Sequence, residues 1–176
     1  SVNALYEAAR TRRARLEERT TETVDLRTEV VDDDDLAIRN TSGQTAALTH
    51  WSFGQLATLA SAPPSYLRTL PAAIASSAIN YGLQRFARDA YQLFVERTAP
   101  WTVHAITSPR YARVQHDELA GRVLALMAEH PAWHVPLGYK DGEYGAELVP
   151  SGAYLGDRDL FLFVVVKGKF LKARIV

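Results

Sequence analysis

Three prolines near the middle of this sequence, Pro63, Pro64 and Pro71, constrain its fold more than any other feature. Proline lacks a backbone donor and clashes with the turn before it, so a helix ends near it, although proline in a first helical turn is tolerated. The apolar residues around these prolines recur at helical spacing, which predicts three consecutive short helices. We predict these helices over residues 49–61, 65–70 and 71–87.

Strand patterns flank this helical segment on both sides. Runs rich in β-branched and aromatic residues predict strands, and the polar or proline-containing turns between them predict hairpins. The strands precede and follow the helices and do not alternate with them, which indicates an α+β fold with a largely antiparallel sheet and helices packed on one face. The predicted strands cover residues 23–31, 36–39, 45–48, 91–96, 101–107, 133–139, 146–149, 160–166 and 170–176.

Two further helices are predicted outside the central segment. Residues 3–19 carry a few apolar residues near one stripe and arginines on the outer face, which predicts a peripheral helix. Residues 116–130, which Pro131 follows, form the clearest helical pattern. A length of 176 residues fits one domain, residues 1–176. Because the sequence ends inside an apolar strand, we expect it to be a fragment of a longer chain.

The composition narrows the classes of function. Cysteine is absent, which excludes disulfides, thiolate metal sites and a cysteine nucleophile. No apolar run approaches the roughly 20 residues that span a bilayer, and the start of the sequence lacks a signal-peptide pattern. We therefore expect a cytoplasmic protein with no membrane partner.

The formal net charge of zero conceals a local pattern. Residues 22–35 hold seven acids against one base, Arg27, whereas both ends of the sequence are basic. A basic end can bind phosphates. The alternative interpretation is that these charges form solvated faces, or that the acidic block folds against the basic ends.

The common catalytic motifs are missing. There is no glycine-rich phosphate loop and no Gly-x-Ser-x-Gly nucleophile motif. His130 and His134 have the spacing of a helical metal pair, but Pro131 breaks that helix. Asp157 and Asp159 would share one face of a strand and could hold magnesium, so a hydrolase with a carboxylate metal site is the weakest alternative. We predict a protein that is not an enzyme and has no cofactor.

The segment Ser108–Arg113 is the clearest binding candidate. It follows a strand and offers Arg110, Tyr111 and Arg113 on a connection. Single-stranded nucleic acid is bound by this combination, because arginine pairs with phosphate and an aromatic ring stacks on a base. The alternative is a packed corner, in which Tyr111 contacts the core and the arginines pair with Asp117 or Glu118.

The stretch from Val103 to Val114, followed by Asp117, Glu118 and Leu119, resembles a motif of the phage/plasmid-like family called domain of unknown function 932. Residues 51–57 with 63–67, the helix around Asn80, and residues 152–161 are also similar to that family, so the resemblance covers roughly residues 45–166. His104 stands where the family usually shows arginine. The resemblance implies a phage or mobile-element origin, and so a bacterial host cell, but it implies no settled activity.

Two hypotheses remain from the sequence. The first is a non-enzymatic phage-type protein that binds single-stranded DNA in recombination or replication. The second is a protein-interaction or oligomer-forming module of the host-takeover or inhibitor type, whose partner is a second copy or a host protein. The candidate nucleic-acid-binding residues are Arg110, Tyr111, Arg113, Arg68, Arg85, Arg88, Arg158, Lys167, Lys169 and Lys172.

Overall fold

A computed structural model describes residues 1–32, 35–86, 90–142, 145–150, 152–156, 159–166 and 169–171. In these residues the chain forms five α-helices, thirteen strands and one 3₁₀ turn at Thr23–Asp25, which confirms the α+β class. The helices are α1 (Val2–Arg13), α2 (His50–Leu59), α3 (Pro64–Leu67), α4 (Ala72–Arg85) and α5 (His116–Glu129). The strands are β1 (Leu16–Thr21), β2 (Arg27–Asp32), β3 (Asp35–Arg39), β4 (Thr45–Leu48), β5 (Tyr91–Glu96), β6 (Thr102–Thr107), β7 (Trp133–His134), β8 (Leu137–Gly142), β9 (Gly145–Pro150), β10 (Ala153–Leu155), β11 (Leu160–Leu162), β12 (Val164–Val166) and β13 (Lys169–Leu171).

The chain divides into two compact units. The sheet unit comprises Arg15–Ala112 and contains β1 to β6 with α2, α3 and α4. The terminal unit joins Ser1–Ala14 to Arg113–Val176 and contains α1, α5 and the later strands. Each unit therefore has its own secondary structure and core, although the terminal unit is discontinuous in sequence.

The sheet unit is built on a six-stranded sheet in the order β1-β5-β6-β4-β3-β2. Its pairs are antiparallel except for β4 and β6, which run parallel, so the expected largely antiparallel sheet is confirmed. Helices α2 and α4 pack on one face, where their buried side chains meet those of the strands. This core contains Leu56, Ala57, Ala60, Ala75, Ile79 and Leu83 from the helices and Ile38, Leu93, Val95, Val103 and Ile106 from the strands.

Asn80 of α4 covers the backbone of the edge strand β2. The Thr28 N–H donates to Asn80 Oδ1 at 2.7 Å, and Asn80 Nδ2 donates to the Thr28 carbonyl oxygen at 2.9 Å. The hydroxyls of Thr28 and Ser76, both buried, lie 2.9 Å apart beside this pair. The side-chain amide thus takes the place of a neighbouring strand and covers one position of an edge that would otherwise be open to pairing.

The terminal unit has a small core of its own. Leu5 of α1, Ala120 of α5 and Leu160 of β11 are buried together. Arg12 Nη1 donates to the carbonyl oxygen of Gly156 at 2.6 Å, which ties the end of α1 to the segment after β10. The strands pair antiparallel as β10 with β11, β8 with β9, and β12 with both β13 and β7.

The predicted helix over residues 3–19 is too long. Helix α1 ends at Arg13, and residues 16–21 form β1, which pairs with β5 along six residues. Local sequence favours neither state strongly there, so the long-range pairing with β5 decides it. The predicted strand over residues 160–166 is also two strands, β11 and β12, which pair with different neighbours on either side of Phe163. Residues 172–176 of the last predicted strand lie outside the described residues.

Gly82 sets how closely α4 approaches the end of α2. A Cβ atom at this position would lie 2.0 Å from the carbonyl oxygen of Ala60 and 2.8 Å from its carbonyl carbon. We expect Gly82→Ala to lower the free energy of unfolding by about 1–3 kcal/mol, since the clash is with backbone. Urea denaturation followed by circular dichroism measures the change.

Gly54→Ala is the matched control in α2. Its Cβ atom would meet only the flexible end of Arg68, at 3.7 Å. Because alanine has the higher helix propensity, we expect this variant to be more stable than the wild type by roughly 0.5–1 kcal/mol. Equal effects of the two substitutions would contradict a tight contact at Gly82.

Candidate nucleic-acid interface

Helices α2 and α3 border a cavity of about 460 Å³ on the sheet unit, here called the Trp51 cavity. Its volume falls in the range of small-ligand sites. The indole of Trp51 is 46% exposed and lies on one wall, while Arg68, which caps the end of α3, lies on another. The remaining lining residues are His50, Gly54, Gln55, Thr58, Leu59, Pro64 and Ile106.

Hydrogen bonds to β6 fix the first turn of α2 and thereby the position of Trp51. Thr49 is the N-cap, and its hydroxyl accepts a hydrogen bond from the Ser52 N–H at 3.1 Å. The buried Ser52 hydroxyl donates to the carbonyl oxygen of Val103 at 2.7 Å, and the Thr49 N–H also donates to it, at 3.3 Å. Since Ser52 faces the sheet, the preceding residue, Trp51, projects from the outer side of the helix.

One hydrogen bond and one cation–π contact hold Arg68 against α2. Its Nη2 donates to the carbonyl oxygen of His50 at 2.8 Å, and its guanidinium carbon lies 4.8 Å from the centre of the Phe53 ring. A guanidinium has five N–H donors, so stacking on Phe53 orients the group and leaves donors for a ligand. The arrangement suits a phosphate or another anion at the edge of the cavity.

Gln55 adds a fixed donor to the wall of the Trp51 cavity. Its Oε1 accepts a hydrogen bond from the Ile106 N–H at 2.8 Å, which fixes the orientation of the amide. The amide NH₂ is therefore the polar group that remains for a ligand. Together, Gln55 and Arg68 add two donor side chains to a largely apolar cavity beside an aromatic ring.

Arg68 also borders a second cavity, of about 230 Å³, here called the Asp35 cavity. Asp35 at the start of β3 lies on its rim, and Phe53 and Leu67 are among its apolar residues. Arg68 therefore lines both an aromatic cavity and a cavity that contains a carboxylate.

The predicted turn after β6 is exposed in the sheet unit. The Tyr111 N–H donates to the carbonyl oxygen of Ser108 at 3.0 Å and closes the turn. Tyr111 is 56% exposed and Arg110 is exposed, so Tyr111 is not packed into the core. The turn follows Ile106 of the Trp51 cavity closely, and the Cα atom of Arg110 lies at most about 14 Å from that of Ile106.

Of the other candidates, Arg85 is the one that the structure describes within the sheet unit. Arg85 is exposed at the end of α4, with its guanidinium 5.9 Å from the Phe86 ring centre. Arg113 belongs to the terminal unit and is half-buried, and Lys169 lies in β13. The candidates Arg88, Arg158, Lys167 and Lys172 lie outside the described residues, as does Asp157 of the alternative metal site. Across the part that is described, no group of three His, Asp or Glu residues is placed to hold a metal ion.

Trp51 is the residue that the sequence analysis missed, although a signal for it exists. From Leu36 to Arg88 the sequence contains no Asp or Glu, whereas residues 22–35 contain seven. The acid-free stretch covers α2, α3 and α4 and includes both Trp51 and Arg68. An exposed aromatic residue within such a stretch is a natural candidate for contact with an anionic chain.

A separate charged cluster joins β1 to the turn between β3 and β4. Arg19 Nε donates to Glu17 Oε1 at 2.6 Å, and Arg19 Nη1 donates to Gln44 Oε1 at 2.8 Å. The guanidinium of Arg19 also lies 4.8 Å from the centre of the Trp101 ring. The hydrogen bond from Arg19 lowers the pKa of Glu17 below its ordinary value of 4.5, and the charges of Arg19 and Arg97 add to this effect.

The lowered pKa of Glu17 predicts a pH-dependent contribution to stability. A carboxyl group with a depressed pKa in the folded state stabilises it above the unfolded-state pKa, and this contribution is lost as pH falls through the folded-state pKa. We expect Glu17→Gln to reduce the free energy of unfolding by less than about 1 kcal/mol near pH 7, because the side chain is one-third exposed. The difference between wild type and variant should shrink as the pH is lowered below 4.5.

A double-mutant cycle measures this interaction directly. If Arg19 is the cause, Glu17→Gln should have a smaller effect in an Arg19→Gln background. The measurement is urea denaturation of the four proteins at several pH values. An effect of Glu17→Gln that is the same in both backgrounds would rule out the pair as the source of the pH dependence.

Comparison with known proteins assigns no family or function to the chain. No protein-family model, no curated protein and no solved structure matches the chain. In the described part of the chain, the helices are too short or too polar to cross a membrane. The Trp51 cavity and the turn after β6 are therefore the features on which a functional proposal rests.

Proposed function

We propose that the sheet unit binds single-stranded nucleic acid at the Trp51 cavity, as a non-enzymatic protein of DNA recombination or replication. The observation that carries the proposal is that Trp51 and Arg68 line one cavity, with an exposed ring and a guanidinium. Proteins that bind single strands combine these two groups, a ring that stacks on a base and a cation that pairs with phosphate. The role in recombination or replication is an analogy with other DNA-handling proteins of phages and mobile elements, the origin that the sequence resemblance implies.

Three contacts would hold the strand. A base stacks on the exposed indole of Trp51, and the adjacent phosphate pairs with Arg68. The Gln55 amide donates to an acceptor on the edge of the base. The strand then continues past Ile106 towards Arg110 and Tyr111, which offer a second cation and a second ring within reach of the cavity.

The charge distribution supports this surface despite the net charge of zero. The helices around the cavity belong to the acid-free stretch from Leu36 to Arg88, so no acidic side chain of α2, α3 or α4 repels a phosphate. Asp35 is the one acidic residue among the described lining residues of the neighbouring Asp35 cavity. This carboxylate disfavours a path in its direction and directs the strand towards the turn after β6.

A second candidate function is a protein contact through α4. Ile74 and Tyr81 are 54% and 63% exposed and lie seven residues apart, so they share the outer face of the helix. This face would suit a second copy or a host protein. A mass measurement that finds one defined assembly, lost in Tyr81→Ala, would favour this function over nucleic-acid binding.

The first test of the proposal is binding of a fluorescent oligo-dT, followed by anisotropy at low salt. We expect Trp51→Ala to weaken binding by about 5- to 150-fold, since stacking on one base contributes roughly 1–3 kcal/mol. Arg68→Ala should weaken binding and lower the slope of log K against log salt by roughly 0.7, which corresponds to one lost phosphate contact on a single strand.

Two controls separate binding from folding. Tyr81→Ala removes an aromatic residue of α4 that is more exposed than Trp51, and should leave the affinity unchanged. Trp51→Phe keeps a ring and should bind more tightly than Trp51→Ala. If wild-type protein shows no binding to oligo-dT at low salt, or if Tyr81→Ala weakens it as much as Trp51→Ala does, the Trp51 cavity is not the binding site.

A further prediction concerns the carboxylate beside Arg68. We expect Asp35→Asn to tighten oligo-dT binding by about two- to fivefold at low salt, because it removes a repulsive exposed charge. The gain should diminish as added salt screens the charge. Glu22→Gln, which removes an exposed charge from a different cavity, should have a smaller effect. Weaker binding by Asp35→Asn would mean that this carboxylate contributes to the site.

A further inference from the structure

A third cavity, of about 400 Å³, lies on the sheet unit and is here called the Trp101 cavity. Its floor is aliphatic, and its rim carries polar and charged side chains. It shares no lining residue with the Trp51 cavity or the Asp35 cavity. The floor is formed by Ile38, Ala46, Leu93, Val95 and Val103 from four strands of the sheet.

Arg19 keeps the Trp101 cavity in shape. In the strand order, β1 is separated from β4 by β5 and β6, yet Arg19 of β1 reaches Gln44 next to β4 at 2.8 Å. The sheet must therefore curve so that its strands surround the aliphatic floor. Gln44 is itself held by Asn40, whose Oδ1 accepts a hydrogen bond from the Gln44 N–H at 2.9 Å. The cavity is thus bounded by a fixed turn and a fixed guanidinium.

The charges around the Trp101 cavity favour a cation. Arg19 is the one base among the described lining residues, and Glu17 already neutralises it through their 2.6 Å hydrogen bond. Glu22 and Asp25 also line the cavity, and both residues are exposed. Neither carboxylate has a hydrogen bond or ion pair with a described side chain. Among the described residues, two carboxylates without an ion pair therefore line this largely apolar space.

We propose that the Trp101 cavity binds a small amphipathic amine. The hydrocarbon part lies on the aliphatic floor and beside the Trp101 ring, and the ammonium group pairs with Glu22 and Asp25 at the mouth. A carboxylate of the same length would meet two like charges there, and an alcohol would gain only the apolar contact. The proposal does not depend on nucleic-acid binding, since the two cavities have no residue in common.

Three probes of equal chain length test this site, namely hexylamine, hexanol and hexanoate. The measurement is a titration followed by ¹H–¹⁵N NMR, in which the Trp101 indole signal is assigned with Trp101→Phe. We expect hexylamine to shift the Trp101 signal and to bind more tightly than hexanol, and hexanoate to bind most weakly. The Trp51 indole, which lines a different cavity, should not move.

Variants separate the contribution of the two carboxylates to hexylamine binding from that of the apolar floor. In Glu22→Gln/Asp25→Asn, hexylamine affinity should fall by about two- to fivefold per charge, with hexanol unaffected. Asp35→Asn removes a charge outside this cavity and should leave hexylamine binding unchanged. Ala46→Leu fills the floor and should weaken both probes, while circular dichroism verifies its fold.

Three results would overturn the proposal. They are the absence of any hexylamine-dependent shift at Trp101, hexanoate binding as tight as that of hexylamine, and an affinity for hexylamine that the double substitution leaves unchanged. None of these results would bear on the oligo-dT measurements with Trp51→Ala and Arg68→Ala, because Trp51 and Arg68 line the other two cavities.

Discussion

The attachment of α2 to β6 determines most of what the sheet unit presents to solvent. Thr49, Ser52 and Gln55 contact β6 at successive points, from the carbonyl oxygen of Val103 to the N–H of Ile106. The spacing of three residues keeps all three on one face of the helix. With that face on the sheet, Trp51 is directed outwards, and the His50 carbonyl and Phe53 ring are in place to hold Arg68.

Strand β6 also connects the two larger cavities. Val103 at its start and Trp101 just before it border the Trp101 cavity, and its later residue Ile106 borders the Trp51 cavity. Helix α2 lines the Trp51 cavity, and none of its residues lines the Trp101 cavity. Close approach of the helices maintains this arrangement, because Gly82 of α4 lies directly against the backbone of Ala60 at the end of α2. A change in this packing would therefore alter the cavities without touching their lining.

The sequence was sufficient where local patterns decide the structure. The prolines and helical spacing of residues 49–87 located α2, α3 and α4, and the turn residues between Tyr91 and Thr107 located the hairpin of β5 and β6. The sequence was insufficient where contacts between residues distant in the sequence determine the secondary structure. Residues 16–21 resemble the helix before them in their charge, and only the pairing with β5 makes them a strand. The Trp51 cavity likewise depends on how α3 returns to α2, which no periodic pattern encodes.

The same limit explains why the net charge of zero does not describe the charge near either cavity. At physiological ionic strength the Debye length is about 8 Å, so a ligand responds mainly to charges within that distance. The acids of the sheet unit are concentrated before Leu36 in the sequence, and the helices that follow have none. One cavity therefore combines Arg68 with donors, and another combines Glu22 with Asp25. Cavities lined by charges of opposite sign can coexist on one sheet because solvent screens each cavity from the other. The net charge of the chain therefore describes neither cavity.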